Sequence, residues 1–390
     1  MRNIIRFNIA EERIYMNFLI KPASGLCNMR CRYCFYEDET NNRSVKNLGI
    51  MTSDMADILI AEALSNASRR EGVHFAFQGG EPTLAGVEFF QMFVRSVAEQ
   101  NQKYRVPVSY SIQTNALSLS DELLELFGKH HFLVGVSVDG TKILHDVNRT
   151  DINQKGTWGR VTHNLQRIQQ KNVPVNLLCV VTRTCARSPQ KVYNSLKKLN
   201  CRHFQFIACL DLMDQPRGSA EYSLVPEDYG RFLCGLFDCW YQDWKRGEYV
   251  SVRLFDDYVH MAMGMPSGTC ATSGSCGRYY VVEGDGSVYP CDFYAVDEWK
   301  LGTLGTESLA QIKESPVATE FLAEGYQRPE HCDHCRWERL CGGGCRRDWT
   351  IENGKTENYY CPAFRKFFAY AESRIMEIAR AEINYRFRQN

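Results

Sequence analysis

The sequence lacks an excess of either charge, a long apolar run and an export signal, and each absence excludes a class of protein. Lys plus Arg and Asp plus Glu number 46 each in 390 residues, so nothing favours a nucleic-acid or acidic-membrane partner. No window approaches the roughly 18 apolar residues of a membrane span. The first residues mix charges with short apolar pairs and lack the apolar core of a signal peptide. We therefore expect a cytoplasmic protein that binds neither nucleic acid nor membrane.

Cysteine, by contrast, is abundant, with 17 in the chain. Because a reducing compartment disfavours disulfides, clustered cysteines in such a chain are more often metal ligands. Three lie near the start of the chain and eight in its last third. The other six are scattered, and most are predicted to be small apolar core residues. These six are Cys179, Cys185, Cys201, Cys209, Cys234 and Cys239.

The N-terminal cysteines, Cys27, Cys31 and Cys34, have C-x3-C-x2-C spacing. Three thiolates on so short a loop can hold one face of an iron–sulfur cube. A [4Fe–4S] cluster normally takes four cysteine ligands, so three leave one iron open for a substrate or cofactor. A zinc knuckle is the alternative, although zinc sites usually pair two C-x2-C units.

Apolar runs alternate with amphipathic stretches from residue 15 to about 245, which predicts six strand–helix repeats. Thr52 and Ser120 are predicted helix caps. Such repeats form parallel strands with right-handed crossovers. Six strands are too few for a closed eight-stranded barrel, which leaves a partial barrel or an open doubly wound sheet. The predicted strands span residues 15–20, 73–78, 108–114, 132–138, 175–181 and 204–208.

Polar motifs follow the predicted strands, at the ends where α/β barrels place their chemistry. Gly79 and Gly80 let the backbone bend towards a ligand, and Glu81 offers a carboxylate to an ammonium group. Ser137 and Asp139 are two apart on an extended chain and are predicted to point the same way. They are candidates to bind ribose hydroxyls, unless the Asp-Gly pair is only a turn.

Three further residues after these strands have two interpretations each. Leu210 is predicted either to pack on an adenine ring or to be a core leucine. Arg149 and Arg183 are each predicted either to meet a carboxylate or to be solvated surface charges.

From about Arg253 the strand–helix pattern stops, and glycine and cysteine become dense. Residues 279–283 and 287–289 flank Gly-Asp-Gly and predict a hairpin. Apolar residues at helical spacing after Cys361 predict a helix packed on the body. Eight cysteines can fill two [4Fe–4S] clusters, and two structural zinc sites are the alternative. The eight are Cys270, Cys276, Cys291, Cys332, Cys335, Cys341, Cys345 and Cys361.

These motifs resemble known families. The cysteine triplet and Gly-Gly-Glu-Pro at 79–82 are similar to the radical S-adenosylmethionine (SAM) superfamily, and the C-terminal cysteine pattern resembles its SPASM domain. Residues 21–24, 75–86, 285–294 and 341–347 look like anaerobic sulfatase-maturating enzymes. The resemblance runs from about residue 15 to 370.

The resemblance implies an α/β fold in four parts. Residues 1–14 form an N-terminal extension, and residues 15–250 form a partial (β/α)6 radical SAM barrel. A small Cys-rich SPASM domain with a β-hairpin and two auxiliary iron–sulfur clusters covers residues 251–361. A C-terminal helix covers residues 362–390.

The same resemblance implies three [4Fe–4S] clusters and SAM as cofactors. Cys27, Cys31 and Cys34 would hold the SAM-binding cluster. One auxiliary cluster would be held by Cys270, Cys276, Cys291 and Cys345, and the other by Cys332, Cys335, Cys341 and Cys361. Contacts to SAM would come from Tyr33, Gln78, Gly79, Gly80, Glu81, Ser137, Asp139 and Leu210.

The reaction implied by the resemblance is oxidation of a sulfatase cysteine or serine to Cα-formylglycine, with SAM converted to methionine and 5′-deoxyadenosine. The partner would be an unfolded or nascent sulfatase with a Cys/Ser-x-Pro/Ala-x-Arg motif, and flavodoxin or ferredoxin would supply electrons. Asp292, next to Cys291, would be the base, with a carboxylate that orients a backbone amide as the alternative. A SPASM-type enzyme that makes thioether or carbon–carbon crosslinks in a ribosomal peptide, and an electron-transfer protein, are the competing hypotheses.

Overall fold

The computed structural model describes residues 15–277 and 279–387. The predicted extension at residues 1–14 and the last three residues of the predicted C-terminal helix lie outside the described residues. The strands are β1 (Tyr15–Lys21), β2 (Met29–Cys31), β3 (Gly72–Phe77), β4 (Val108–Thr114), β5 (Leu133–Ser137), β6 (Arg149–Asp151), β7 (Val175–Val181), β8 (His203–Ala208), β9 (Ser251–Val252), β10 (Tyr279–Glu283), β11 (Ser287–Tyr289), β12 (Gly302–Thr303), β13 (Trp349–Glu352) and β14 (Lys355–Asn358). The α-helices are α1 (Phe35–Asn41), α2 (Ser53–Asn66), α3 (Val87–Tyr104), α4 (Asp121–Lys129), α5 (Lys142–Asn148), α6 (Trp158–Gln170), α7 (Arg183–Ala186), α8 (Pro189–Lys197), α9 (Pro226–Arg246), α10 (Arg253–Ala262), α11 (Cys270–Ser273), α12 (Leu309–Lys313), α13 (Pro316–Gly325), α14 (Glu338–Cys341) and α15 (Cys361–Phe387).

Seven parallel strands of the main sheet follow one another in chain order: β1, β3, β4, β5, β7, β8 and β9. A doubly wound sheet reverses this order at a switch point. Because neighbours in the sheet are here neighbours in the chain, successive right-handed crossovers all proceed in one direction. Within the described chain the sheet stays open, with β9 and β12 at its edges. The prediction of a partial barrel is confirmed.

The predicted strands and caps agree closely with the structure. β4 and β7 have the predicted bounds; β1 and β8 differ from the prediction by one residue at one end, and β3 and β5 by one residue at each end. The Thr52 hydroxyl accepts a hydrogen bond from the Met55 amide, and the Ser120 hydroxyl accepts one from the Leu123 amide. Each satisfies a backbone donor that a helix start leaves without a partner.

The predicted hairpin is present as β10 and β11, and it continues the barrel sheet. β10 pairs in parallel with β1, which puts Glu283 opposite Lys21. β11 and β12 then extend the sheet by antiparallel pairing. The domain boundary near residue 250 stays a prediction, since one sheet crosses it.

The C-terminal helix α15 packs on the barrel, as predicted. The Phe367 ring centroid lies 5.7 Å from that of Phe237 in α9. Four of the five apolar residues that predicted this helix are fully buried, namely Phe368, Ala371, Ile375 and Ile378. No helix in the described ranges has the length and apolar character needed to cross a bilayer.

Most of the scattered cysteines belong to the core. Cys179, Cys185, Cys201 and Cys209 are buried, which agrees with the prediction. The remaining two of that set lie on α9 and are half-buried.

Candidate active site

The three cysteines near the start of the chain line one cavity at the carboxyl ends of the barrel strands. The loop after β1 carries Cys27, β2 ends at Cys31, and Cys34 is the N-cap residue of α1. β2 pairs antiparallel with β6, which places Arg149 opposite Cys31. This short pairing fixes the middle of the loop, so that the three thiols border the same space.

Burial is the main reason that the pKa of Cys27 is raised to about 11 and that of Cys31 to about 12. Few hydrogen-bond donors counteract this rise in pKa. The Met29 amide nitrogen lies 3.4 Å from Cys27 Sγ, and Asn115 Nδ2 lies 3.7 Å from the same sulfur atom. Thiols in such surroundings ionise only when a metal or another cation stabilises the thiolate. The donor set fits one face of a [4Fe–4S] cluster, which takes thiolate ligands.

A zinc ion fits less well. Among residues 15–277 and 279–387, no three His, Cys, Asp or Glu side chains converge on the position of one metal ion. A structural zinc ion needs four ligands at about 2.0–2.3 Å.

The cavity wall contains six of the eight residues predicted to contact SAM: Tyr33, Gln78, Gly79, Gly80, Ser137 and Leu210. Two glycines let the end of β3 pack directly on the cysteine loop. Gly79 has a φ of 121°, a conformation that glycine adopts readily and other residues rarely do. A Cβ on Gly80 would overlap the Leu26 carbonyl oxygen, while the Gly80 amide donates to the Ser24 carbonyl at 3.0 Å.

The Glu81 carboxylate is not among the groups that line the cavity, and its predicted contact with an ammonium group stays a prediction. Its carboxylate is fully buried and accepts hydrogen bonds from the Thr83 hydroxyl (2.6 Å), the Thr114 hydroxyl (2.7 Å) and the Asn115 amide (2.8 Å). These donors occupy both of its oxygens. Because Asn115 also reaches Cys27, Glu81 positions the cysteine loop from the next strand.

Asp139 is buried next to the cavity and is not among the residues that line it. Its predicted contact with ribose hydroxyls, together with Ser137, stays a prediction. The Asp139 carboxylate accepts hydrogen bonds from the Tyr33 hydroxyl, from Arg149 Nε at 3.0 Å and from the Val180 amide at 3.0 Å. Asp139 thereby fixes two side chains that do line the cavity.

The structure separates the two arginines whose roles were left open. Arg149 is buried, pairs with Asp139, and its Nη1 lies 4.0 Å from Cys31 Sγ. Arg183 instead donates to the Gly218 carbonyl oxygen at 3.0 Å, away from the cavity. Arg149 therefore belongs to the site, and Arg183 holds a loop.

Asp292, the predicted base, is buried beside this cavity. One carboxylate oxygen, Oδ2, accepts hydrogen bonds from the Tyr36 hydroxyl at 2.7 Å and from Gln78 Nε2 at 3.1 Å. Both of these side chains line the cavity. The other oxygen, Oδ1, lies 3.3 Å from Lys21 Nζ. The carboxylate is therefore connected to the cavity on one side and to a buried ammonium group on the other.

Four C-terminal cysteines, Cys270, Cys276, Cys291 and Cys345, form one group because they are close enough to influence one another's pKa. Burial is the largest cause that raises the pKa of Cys345, and nearby charges, including those of Cys291 and Cys270, raise it further. Burial and then Cys270 raise the pKa of Cys276. Cys270 and Cys345 line a second cavity that shares Leu210 and Phe293 with the first.

The other four C-terminal cysteines, Cys332, Cys335, Cys341 and Cys361, form a second group. Burial raises the pKa of Cys341 to about 12, with further contributions from Cys332, Cys361 and Cys335. Cys361 is the first residue of α15, and His331 Nε2 lies 3.3 Å from its Sγ. The two groups are those that the resemblance implied, and the ligand roles themselves stay predictions.

Comparison with known proteins agrees with this geometry. The family model of the radical SAM superfamily matches residues 22–186, and that of the SPASM iron–sulfur cluster-binding domain matches residues 274–336. A cysteine-type anaerobic sulfatase-maturating enzyme of Clostridium novyi is 39% identical over 94% of this chain and 97% of its own length. The chain belongs to the anaerobic sulfatase-maturating enzymes.

A serine-type enzyme and a solved structure of the same family are also similar to this chain. A serine-type enzyme of Klebsiella aerogenes is 31% identical over 92% of this chain and 86% of its own. A solved structure of anSMEcpe with bound AdoMet (SAM) and Kp18Cys peptide has a TM-score of 0.88 and 39% identity, over 94% of this chain and 99% of that one. Radical SAM chemistry with iron–sulfur clusters and SAM is thus the chemistry of this family.

Sequence reasoning missed several residues of the site in this family member. Tyr36 and Lys21 both contact Asp292, and neither was predicted to. Lys21 is the first of residues 21–24, which carry part of the family resemblance, but the sequence indicated no role for it. Glu39 and Glu283, which surround Lys21, had no signal in the sequence beyond being acidic residues.

Proposed function

We propose that this chain oxidises a cysteine of a sulfatase polypeptide to Cα-formylglycine, with SAM and three [4Fe–4S] clusters as cofactors. The observation that carries the proposal is the position of Asp292. Its carboxylate is bonded to Tyr36 and Gln78, which line the cavity bordered by the three cysteines, so a base lies beside the space where radical chemistry would occur. Similarity to sulfatase-maturating enzymes over nearly the whole chain supports the same reaction.

When bound, SAM and the clusters supply a 5′-deoxyadenosyl radical, which takes a hydrogen atom from the substrate Cβ, and an acceptor for one further electron. Asp292 accepts the proton of the substrate thiol, either directly or through the Tyr36 hydroxyl that donates to it. Loss of a hydrogen atom, a proton and an electron leaves a thioaldehyde. Water then replaces the sulfur, which gives the aldehyde and hydrogen sulfide.

The remaining site residues form two sets: those that line the cavity and those that lie behind its wall. We assign Tyr33, Gln78, Gly79, Gly80, Ser137 and Leu210 to contacts with SAM because they line the cavity. Glu81 and Asp139 support those contacts from behind. The cysteine triplet is assigned to the SAM-binding cluster and the eight later cysteines to two auxiliary clusters, in the groups described above.

Cysteine is the proposed target because the cysteine-type relative is more similar to this chain than the serine-type one. The proposed partner is an unfolded or nascent sulfatase with a Cys-x-Pro-x-Arg core, met in the cytoplasm. Flavodoxin or ferredoxin is the proposed reductant. In this proposal, about residues 15–250 bind and cleave SAM, and about residues 251–361 carry electrons through the auxiliary clusters.

Mass spectrometry of a short peptide tests the proposal. A peptide with a Cys-x-Pro-x-Arg core is incubated anaerobically with the reconstituted protein, SAM and dithionite. A two-electron oxidation lowers its mass by about 2 Da as the thioaldehyde or about 18 Da as formylglycine. The matched serine peptide should react more slowly and lose about 2 Da.

Two controls make the result specific. A protein with Cys27, Cys31 and Cys34 replaced by alanine should form no 5′-deoxyadenosine and leave the peptide unchanged. Formation of 5′-deoxyadenosine by the unaltered protein, with no mass change in either peptide, would contradict the proposal and favour the peptide-crosslinking hypothesis.

A further inference from the structure

Lys21 is the last residue of β1, and its side chain is only 2% exposed. Its ammonium nitrogen lies 3.3 Å from Glu39 Oε2, 3.3 Å from Asp292 Oδ1 and 3.7 Å from Glu283 Oε1. A buried ammonium group is strongly unfavourable without compensating carboxylates. The four residues therefore form a compensated set, and one of them is the proposed base.

The members of this set come from four separate parts of the chain. Glu39 is on α1, directly after the cysteine loop, and Glu283 is on β10, opposite Lys21 in the sheet. Glu283 already has a second cation, because Arg43 Nη2 lies 2.8 Å from its Oε1. Lys21 is therefore not required to neutralise Glu283.

Glu39 depends little on Lys21 for charge neutralisation, although Lys21 Nζ lies 3.3 Å from its Oε2. Burial raises the pKa of Glu39 from 4.5 to about 8, although Lys21 opposes the shift. At neutral pH the acid is mostly protonated, so the two cations, Lys21 and Arg43, balance Glu283 and Asp292. Lys21 is then the cation that neutralises Asp292.

The two oxygens of Asp292 have different environments. Oδ2 is bonded to the Tyr36 hydroxyl and Gln78 at the cavity wall. Oδ1 is buried without a hydrogen bond and has Lys21 as its ion-pair partner. Among the described residues, no other cationic group lies within 4.0 Å of this carboxylate. If the carboxylate rotated, both sets of contacts would be lost.

We propose that Lys21 is a positioning residue, which holds Asp292 Oδ1 so that Oδ2 points at the reacting substrate. The proposal rests on the proposed function, in which Asp292 is the base. Lys21 does not line the cavity, so it acts through Asp292 and through the ring of Tyr36, whose centroid lies 4.7 Å from Lys21 Nζ. Its role in the reaction is therefore distinct from a general contribution to folding.

Lys21→Met keeps the length and apolar stem of the side chain but removes the ammonium group. We expect kcat for peptide oxidation to fall on the order of 10–100-fold, as for other residues that orient a reacting group. KM for the peptide, iron content and SAM cleavage should stay unchanged. Lys129→Met, the same change at an exposed lysine at the end of α4, is the matched control, and oxidation should stay within about twofold.

A double variant separates positioning from folding. Lys21→Met combined with Asp292→Asn removes one buried charge of each sign, so it should fold even if Lys21→Met alone does not. If Lys21 acts through Asp292, the double variant should oxidise peptide as slowly as Asp292→Asn alone. A further tenfold loss in the double variant would overturn the proposal.

The outcomes also separate this inference from the function on which it rests. If the unaltered protein oxidises the peptide and Asp292→Asn is slow, but Lys21→Met is as fast as the unaltered protein, the inference alone is wrong. If Asp292→Asn retains full activity, the base assignment and the inference both fail. An unaltered protein that cleaves SAM but leaves every peptide unchanged contradicts the proposed function itself.

Discussion

Replacing Glu39 by glutamine should change how the stability of the protein depends on pH. Glu39 is 1% exposed, and burial raises its pKa from 4.5 to about 8. The folded chain therefore holds a proton on this group that the unfolded chain releases. The free energy of unfolding contributed by Glu39 is fully present below about pH 4.5 and decreases as pH rises to about 8.

The size of the effect is that expected when unfolding releases one proton. The free energy of unfolding changes by about 1.4 kcal/mol per pH unit inside this window, or about 2.8 kcal/mol between about pH 6 and 8. An unfolding entropy of about 2.1 cal/mol/K per residue gives about 0.8 kcal/mol/K for a chain of 390 residues. The melting temperature of the unaltered protein should therefore fall by about 3 °C over this range because of Glu39.

Glutamine has the shape of the protonated acid and does not titrate. The melting temperature of Glu39→Gln minus that of the unaltered holoprotein should thus rise by about 3 °C from about pH 6 to 8. Differential scanning calorimetry under anaerobic conditions measures it. The exposed carboxylate of Glu88 on α3 provides the control, and Glu88→Gln should give a difference that is flat with pH. A flat or falling difference for Glu39→Gln would refute the reasoning, since it would mean that Lys21 keeps Glu39 ionised.

Two further predictions concern the clusters and the support of the cavity wall. Anaerobically reconstituted protein should bind about twelve irons, and alanine at Cys27, Cys31 and Cys34 should remove one third of them, together with all SAM cleavage; zinc at the C-terminal cysteines in elemental analysis would contradict this. Asp139→Asn should lower the free energy of unfolding in guanidinium by about 3–5 kcal/mol, because it leaves the buried Arg149 without its carboxylate. Unchanged stability with weaker SAM binding would instead support Asp139 as a ribose contact.

Local patterns were enough to predict the strands and helix caps of the barrel. β4 and β7 are apolar runs with clear ends, and Thr52 and Ser120 are good N-cap residues, so each element is determined by residues close in the chain. The order of the strands was not determined in this way, because right-handed crossovers fit both a barrel and a doubly wound sheet, and the family resemblance favoured the barrel. The cysteines of the first cluster were equally clear because they are close in sequence.

The direction of side chains beyond a strand end was not predictable. Ser137 is the last residue of β5, and Asp139 lies two residues further, where the strand pattern no longer determines the side-chain direction. The hydrogen bonds that Glu81 accepts from Thr114 and Asn115 were not predictable either, because these residues lie at the end of another strand. Contacts that join distant parts of the chain, such as Lys21 with Asp292, leave no local pattern at all.

The parallel pairing of β1 with β10 also has a consequence for synthesis of the protein. Lys21 and its partner Glu283 are 262 residues apart (283 minus 21). At about 5–20 residues per second, a ribosome needs about 13–50 s to make the intervening chain. Throughout that time one edge of β1 offers unpaired backbone groups, and such an edge is prone to pair with other chains. Nascent barrels should therefore depend on chaperones until β10 emerges, and a chain truncated before residue 279 should aggregate.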